Sequence, residues 1–114
     1  LFGSDIRDTG ATIGVNSLLW RASLDTISFM PLDEADPYGG VIMTEWYNNP
    51  NNPNERYKIT IYILDTRLRA DAVRVSLFMQ QYQNGEWVNI STSDETRLQL
   101  ENSILTKARQ MKQE

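Results

Sequence analysis

The sequence predicts an α+β domain: a four-stranded antiparallel meander with an N-terminal and a C-terminal helix packed on one of its faces. Three observations carry this reading. Residues 15–30 place apolar side chains at helical spacing and stop at Pro31. Residues 55–64 and 72–83 alternate apolar and polar, and the second run ends at Asn84-Gly85, a strong hairpin signal. Thr92-Ser93-Asp94-Glu95 then opens a second amphipathic stretch. No helical pattern falls between the strands, so no parallel crossover is available and the sheet should be antiparallel. With 114 residues the chain makes one domain, long enough to bury a core without staples.

Residues 1–13 are polar, carry glycine and lack periodicity, and are expected to be a flexible leader to a single domain over 14–112. The first helix should begin at Asn16 or Ser17, either of which can cap it. On a wheel of ~100° per residue, Val15, Leu18, Leu19, Ala22, Phe29 and Met30 share one face, and Trp20, Leu24 and Ile27 form another nearly opposite. Only a narrow sector with Ser17, Arg21, Asp25 and Ser28 is polar, so the helix should have neighbours on most sides. Residues 31–40 hold two prolines, a Gly-Gly pair and three carboxylates, and read as a structured acidic turn. Asp33, Glu34 and Asp36 lack the distal Glu of a calcium loop. The expected role of Asp36 is to bond local backbone amides rather than a metal.

Residues 41–47 read as a strand, with Ile42, Thr44 and Trp46 on one face and Val41, Met43, Glu45 and Tyr47 on the other. The asparagine-rich residues 48–54 read as a connecting loop. In the next strand Tyr57, Ile59, Ile61 and Ile63 face the core, while Arg56, Lys58, Thr60 and Tyr62 face away. In the strand after it, Val73, Val75, Leu77 and Met79 face the core. A two-residue turn at Asn84-Gly85 sets Gln83 opposite Glu86, Tyr82 opposite Trp87, Gln81 opposite Val88 and Met79 opposite Ile90. Phe78, Tyr82 and Trp87 then collect on the outer face, and Tyr62 can join them. The last helix should be capped by Thr92, with Glu95 completing the box. It should bury Leu98, Leu100, Ile104, Leu105, Ala108 and Met111.

The chain has no cysteine, which removes disulfides and thiol nucleophiles, and no histidine, the commonest general base. No catalytic constellation stands out among Glu45, Asp65, Asp71 and Glu86, so the protein is not expected to be an enzyme, and no cofactor is expected. The net charge of −4 argues against nucleic acid as a partner, although Arg56, Lys58, Arg67, Arg69 and Arg74 cluster in sequence. No run of 18 apolar residues spans a membrane. The first residue is Leu rather than Met, and the expectation is a processed or excised piece with a targeting segment upstream. The aromatic set Tyr62, Phe78, Tyr82 and Trp87 has a plain reading as cross-strand packing and a functional reading as a partner-binding surface.

Several blocks carry a resemblance. Residues 15–32 (VNSLLWRASLDTISFMPL) form the first, followed by Ala35-Asp36-Pro37, Gly39-Gly40-Val41-Ile42 and Trp46-Tyr47. Then come Asn54-Glu55-Arg56-Tyr57-Lys58, Ile63-Leu64-Asp65, Leu68-Arg69-Ala70-Asp71-Ala72 and Arg74-Val75-Ser76. Over residues 14–109 the chain resembles a family of short alphaproteobacterial proteins classed as a domain of unknown function. The resemblance implies a cell-envelope protein, periplasmic or outer-membrane-anchored, with a signal segment and a lipidated cysteine upstream. It brings no catalytic residues. The order helix, antiparallel sheet, helix also resembles the helix-grip domains of an outer-membrane assembly lipoprotein. The expected function is therefore a non-catalytic envelope protein that binds another envelope protein during assembly or maintenance, through Tyr62, Phe78, Tyr82 and Trp87. Membrane contact would come only through the upstream lipid anchor. The alternative is a small-molecule or lipid-binding groove between the first helix and the sheet, near Trp20, Leu24 and Trp46.

Overall fold

A computed structural model describes residues 14–113. The leader expected over 1–13 lies outside the described residues. Within them the chain forms α1 (Ser17–Thr26), β1 (Leu32–Asp36), β2 (Val41–Thr44), β3 (Tyr47–Asn49) and β4 (Asn52–Ile63). A short 3-10 turn (Ala70–Ala72), β5 (Val73–Gln83), β6 (Glu86–Ile90) and α2 (Asp94–Lys112) follow. The α+β class and the antiparallel sheet are as expected, but the sheet has six strands rather than four. The expected helix-grip-like, four-stranded arrangement is corrected accordingly. The order is β1-β2-β4-β5-β6, with β3 also beside β4.

The two additional strands come from segments that lack strand propensity. Residues 32–36 were expected to be an acidic turn. Instead they pair with β2 across a tight turn, Asp36 opposite Val41, Ala35 opposite Ile42 and Glu34 opposite Met43. The hairpin supplies the partner, so these exposed residues need no burial to become a strand. Acidic side chains also suit a sheet edge that should not recruit another chain. Asp36 does bond locally: its Oδ1 accepts from the Tyr38 N–H at 3.0 Å. Among the described residues no group of three or more carboxylates is placed to hold a metal ion. The second addition is β3. Much of the expected loop 48–54 is instead a hairpin with Asn49 opposite Asn52, and Asn49 Oδ1 accepts from the Asn51 N–H at 2.9 Å.

The expected strand 41–47 is broken. Met43 stands opposite Thr60 in β2, whereas Tyr47 stands opposite Tyr57 in β3. Thr44, Glu45 and Trp46 thus oppose only Ile59 and Lys58, a β-bulge. The backbone N–H of Ile59, which the bulge would leave unpaired, donates to Thr44 Oγ1 at 2.9 Å in a buried setting.

The first helix is shorter than expected. Asn16 caps it, its Oδ1 accepting from the Leu19 N–H at 2.9 Å, but it ends at Thr26 rather than near Met30. The Thr26 hydroxyl donates back to the Ala22 carbonyl at 2.8 Å, and two tight turns follow, Ser28 N–H to Asp25 O and Met30 N–H to Ile27 O. These turns let Ile27 and Met30 stay buried while Phe29 swings out to Tyr47. α2 is capped by Ser93, not Thr92; Thr92 donates its hydroxyl to the Leu77 carbonyl of β5 instead. Glu101 of α2 accepts from the Val75 N–H at 2.9 Å. Helix α2 thereby occupies the half of β5 that the short β6 leaves unpaired.

The core lies between the helices and one sheet face. Leu19, Trp20, Ala22, Ile104, Leu105 and Ala108 pack on Ile59, Ile61, Ile63, Val73 and Val75, and Ile42 closes the β2 side. Where the helices no longer reach, Phe29, Tyr47 and Tyr57 continue the same layer edge to face, at 5.2 and 5.6 Å between ring centroids. The β5–β6 register is as expected from the Asn84-Gly85 turn, Tyr82 opposite Trp87 and Met79 opposite Ile90, with both turn residues at positive φ.

Two positions test this architecture. Gly40 has φ +73°, and a Cβ there would collide with the Ile63 carbonyl oxygen and stand 2.7 Å from the Val15 side chain. Gly85 has φ +87° with nothing near its missing Cβ. Gly40→Ala should cost on the order of 2–3 kcal/mol in urea unfolding, and Gly85→Ala about 1 kcal/mol; equal losses would contradict the packing at Gly40. Thr44→Val should cost roughly 1–3 kcal/mol by orphaning the Ile59 amide, with Thr44→Ser retaining most of the stability. Indistinguishable Val and Ser variants would remove the hydroxyl's role at the bulge.

Candidate functional site

The alternation that buries one side of β4 and β5 sends their other side chains to a face no helix covers. From β4 these are Arg56, Lys58, Thr60 and Tyr62, and from β5 Arg74, Ser76, Phe78, Gln80 and Tyr82, with Lys58 opposite Phe78 and Tyr62 opposite Arg74. Trp87 and Asn89 of β6 join them opposite Tyr82 and Gln80. The four candidate residues therefore do share one face. Phe78 is 50% exposed, Tyr82 46% and Tyr62 38%, high values for aromatic side chains.

They form two groups rather than one cluster. Tyr62 and Phe78 line an open groove of about 530 Å³, together with Met43, Trp46, Lys58 and Asn89. Tyr82 and Trp87 pair with each other near the hairpin end, edge to face, with centroids 5.3 Å apart. Arg56 bridges the groups. Its guanidinium carbon lies 4.1 Å from the Trp87 ring centroid and 4.7 Å from that of Trp46. Lys58 Nζ lies 4.9 Å from the Trp46 centroid. Each such contact holds a cation against the electron-rich face of an indole. Arg56 Nε and Nη2 both donate to Gln80 Oε1, at 2.9 and 2.6 Å, and Gln80 Nε2 donates to Asn89 Oδ1 at 2.8 Å. The row Trp46, Arg56, Trp87 is thus fixed from below by a chain of amides on β5 and β6.

Trp46 is the residue that sequence reasoning misplaced. Strict alternation set it with Ile42 and Thr44. The bulge inserts one residue after Thr44, so Trp46 emerges on the open face and Tyr47 turns to the core side. Trp20, by contrast, is 6% exposed and part of the core. The two tryptophans lie on opposite sides of the sheet and line no common groove between α1 and β4. The available signal was the mixed alternation of residues 41–47 itself, which fits neither face cleanly.

Four of the other basic residues are paired with carboxylates. Arg67 pairs with Asp65 at 2.8 Å and Arg69 with Asp71 at 2.9 Å, all four in the segment joining β4 to β5. Arg97 lies 3.0 Å from Glu101, and Lys107 pairs with Asp25 between the helices. Asp65 also accepts on its backbone oxygen from the Asn16 N–H at 3.0 Å, which docks the start of α1 on this segment. Asp65 and Asp71 are therefore held by arginines in a structural turn. The Arg67 guanidinium, followed by the Arg67 backbone N–H, keeps the Asp65 carboxyl well below the usual carboxylate range.

Residues 13–113 match a family described as a domain of unknown function (DUF3576). An uncharacterized protein of Rickettsia prowazekii (strain Madrid E) is 44% identical over 95 residues, 83% of this chain and 57% of that protein. The chain thus spans little more than half the length of that relative. No solved structure matches the chain.

Because the folded pKa of Asp65 is depressed, its contribution to stability is fully present above the unfolded value of about 4. It is lost as pH falls below that toward the folded pKa. The stability difference between the natural chain and Asp65→Asn should therefore hold steady from pH 8 to 5 and shrink between pH 4 and 2. Urea unfolding across that range measures it, and a difference that grows on acidification would contradict the Asp65–Arg67 pairing.

Proposed function

The chain belongs to this uncharacterised alphaproteobacterial family, and we propose that it is a non-catalytic domain of the bacterial cell envelope that binds another protein through its open sheet face. One observation carries the reading. Phe78, Tyr82 and Tyr62 stand exposed on a face where Arg56 is held against two indoles and Gln80 is bonded to Asn89. Exposed aromatics on a rigid platform lose little entropy on binding and are the residue types that dominate interface cores. The non-catalytic part of the proposal is supported by the absence of histidine and cysteine from the chain, and by the engagement of Asp65 and Asp71 with arginines. Placement in the envelope, with a lipid anchor upstream and a role in outer-membrane assembly or maintenance, rests on the family resemblance.

A small-molecule or lipid ligand is the second reading. The groove beside Tyr62 and Phe78 favours it on the open face rather than between α1 and the sheet.

Photo-crosslinking in cells tests the first reading. A benzoylphenylalanine at Phe78 or Tyr82 should yield a discrete protein adduct, and one at the exposed Arg109 of α2 should not. Equal labelling at all three positions would contradict a specific face. Fractionation of the full-length protein should recover it with membranes or periplasm; recovery in the cytosol would remove the envelope assignment.

A further inference from the structure

Among the described residues, three of the cations without a carboxylate within ion-pair distance, Arg56, Lys58 and Arg74, stand on the one open sheet face, and the others, Arg21, Arg109 and Lys112, lie on the helices. Arg67, Arg69, Arg97 and Lys107 each have a carboxylate partner. No carboxylate among the described residues pairs with Arg56, Lys58 or Arg74. Yet the chain as a whole is acidic, with 15 Asp and Glu against 11 Lys and Arg. The carboxylates of β1 that share this side, Glu34 and Asp36, sit on the edge strand opposite Met43 and Val41, and Asp36 is bonded to the Tyr38 N–H. A protein of negative charge has thus gathered on one face three cations without carboxylate partners among the described residues, with Lys58 lining the groove.

Arg56 shows two N–H groups bonded, both to Gln80, out of the five that a guanidinium carries. Its guanidinium carbon lies against both the Trp46 and Trp87 rings, which restrains the side chain, and the remaining donors suit a planar carboxylate acceptor. Arg56 and Lys58 are alternate residues of one strand, so their Cα atoms are spaced by roughly 6.7 Å. That is also the spacing of alternate side chains in an extended peptide laid along β4. Phe78, directly across from Lys58, and the groove toward Tyr62 offer apolar contact beside the charges. The groove is open along its length, whereas small ligands are usually held in clefts that bury most of their surface. That shape favours a polypeptide over an acyl chain.

We infer that the open face binds an extended acidic segment of a partner protein, with two carboxylates at i and i+2 on Arg56 and Lys58 and an adjacent apolar side chain in the groove at Phe78. This rests on the reading of the open face as a protein-binding surface and adds the chemistry of the partner. Arg74 extends the positive strip beside Tyr62.

Selection of random twelve-residue displayed peptides on the full 114-residue chain tests the inference with a defined probe. Enriched peptides should carry Asp or Glu at alternating positions next to Phe, Leu, Ile or Trp. Measured by titration with the synthetic peptide, Lys58→Gln should weaken binding about tenfold, equivalent to roughly 1.4 kcal/mol. Lys58→Arg should restore most of it, and added salt should weaken it. Phe78→Ser should weaken it independently, with thermal melts confirming that each variant is folded. Binders without carboxylate enrichment, or binders indifferent to Lys58→Gln but lost in Phe78→Ser, would overturn the acidic partner while leaving the binding face in place. Binders indifferent to both variants, or no enriched binder at all, would overturn the face as well.

Discussion

The one-sided cover of β4 and β5 is the constraint on which the remainder of this structure depends. Ile59, Ile61 and Ile63 alternate with Lys58, Thr60 and Tyr62, so burying one set fixes where the other must go. Both helices are committed to the isoleucine side. α1 brings Leu19, Trp20 and Ala22, and α2 brings Ile104, Leu105 and Ala108. Moving either helix to the other face would expose this core to water. A slip of register by one residue would bring Lys58 and Arg74 into it. The open face is thus a consequence of how the core is closed.

The bulge after Thr44 adds an indole to that face and so shapes the candidate site. Three residues against two change the parity of the chain within one strand pair, and the change carries Trp46 across the sheet. There it lies over Arg56 and Lys58, which would otherwise project loosely. The cost of the bulge, one orphaned amide on Ile59, is offset by the buried hydroxyl of Thr44. The same few residues therefore break the ladder, repair it and supply an indole on the outer side.

The charges are distributed with a similar economy. Arg67 and Arg69 are closed on Asp65 and Asp71, and the Asp65 carbonyl docks the N-terminus of α1. Gly40 sits against the end of β4, where its carbonyl accepts from the Ile63 N–H at 2.7 Å. The start of α1, the β1–β2 turn and the β4–β5 connection are thereby held together by backbone contacts and local ion pairs. The open-face cations Arg56, Lys58 and Arg74 have no carboxylate partner among the described residues and take no part in these ion pairs.

Much of this was legible in residue order. The two helices, the core alternation of β4 and β5 and the register at Asn84-Gly85 follow from periodicity and turn chemistry, because each depends on neighbours close in sequence. Tyr62, Phe78, Tyr82 and Trp87 fall on one face for the same reason. What residue order left open depended on partners distant in the chain. The acidic segment at Leu32–Asp36 becomes a strand because β2 lies beside it. The first helix stops at Thr26 because Ile27 and Met30 reach the core better in tight turns. Thr92 gives up the cap to Ser93 because its hydroxyl meets Leu77. Trp46 joins the site because a bulge, invisible to a strict alternation of two, turns it outward. Sequence by itself determined which side chains alternate and therefore which residues the outer face could hold. Tertiary structure decided that Arg56 stands between two tryptophans, since that contact joins residues 46, 56 and 87 through the pairing of three strands.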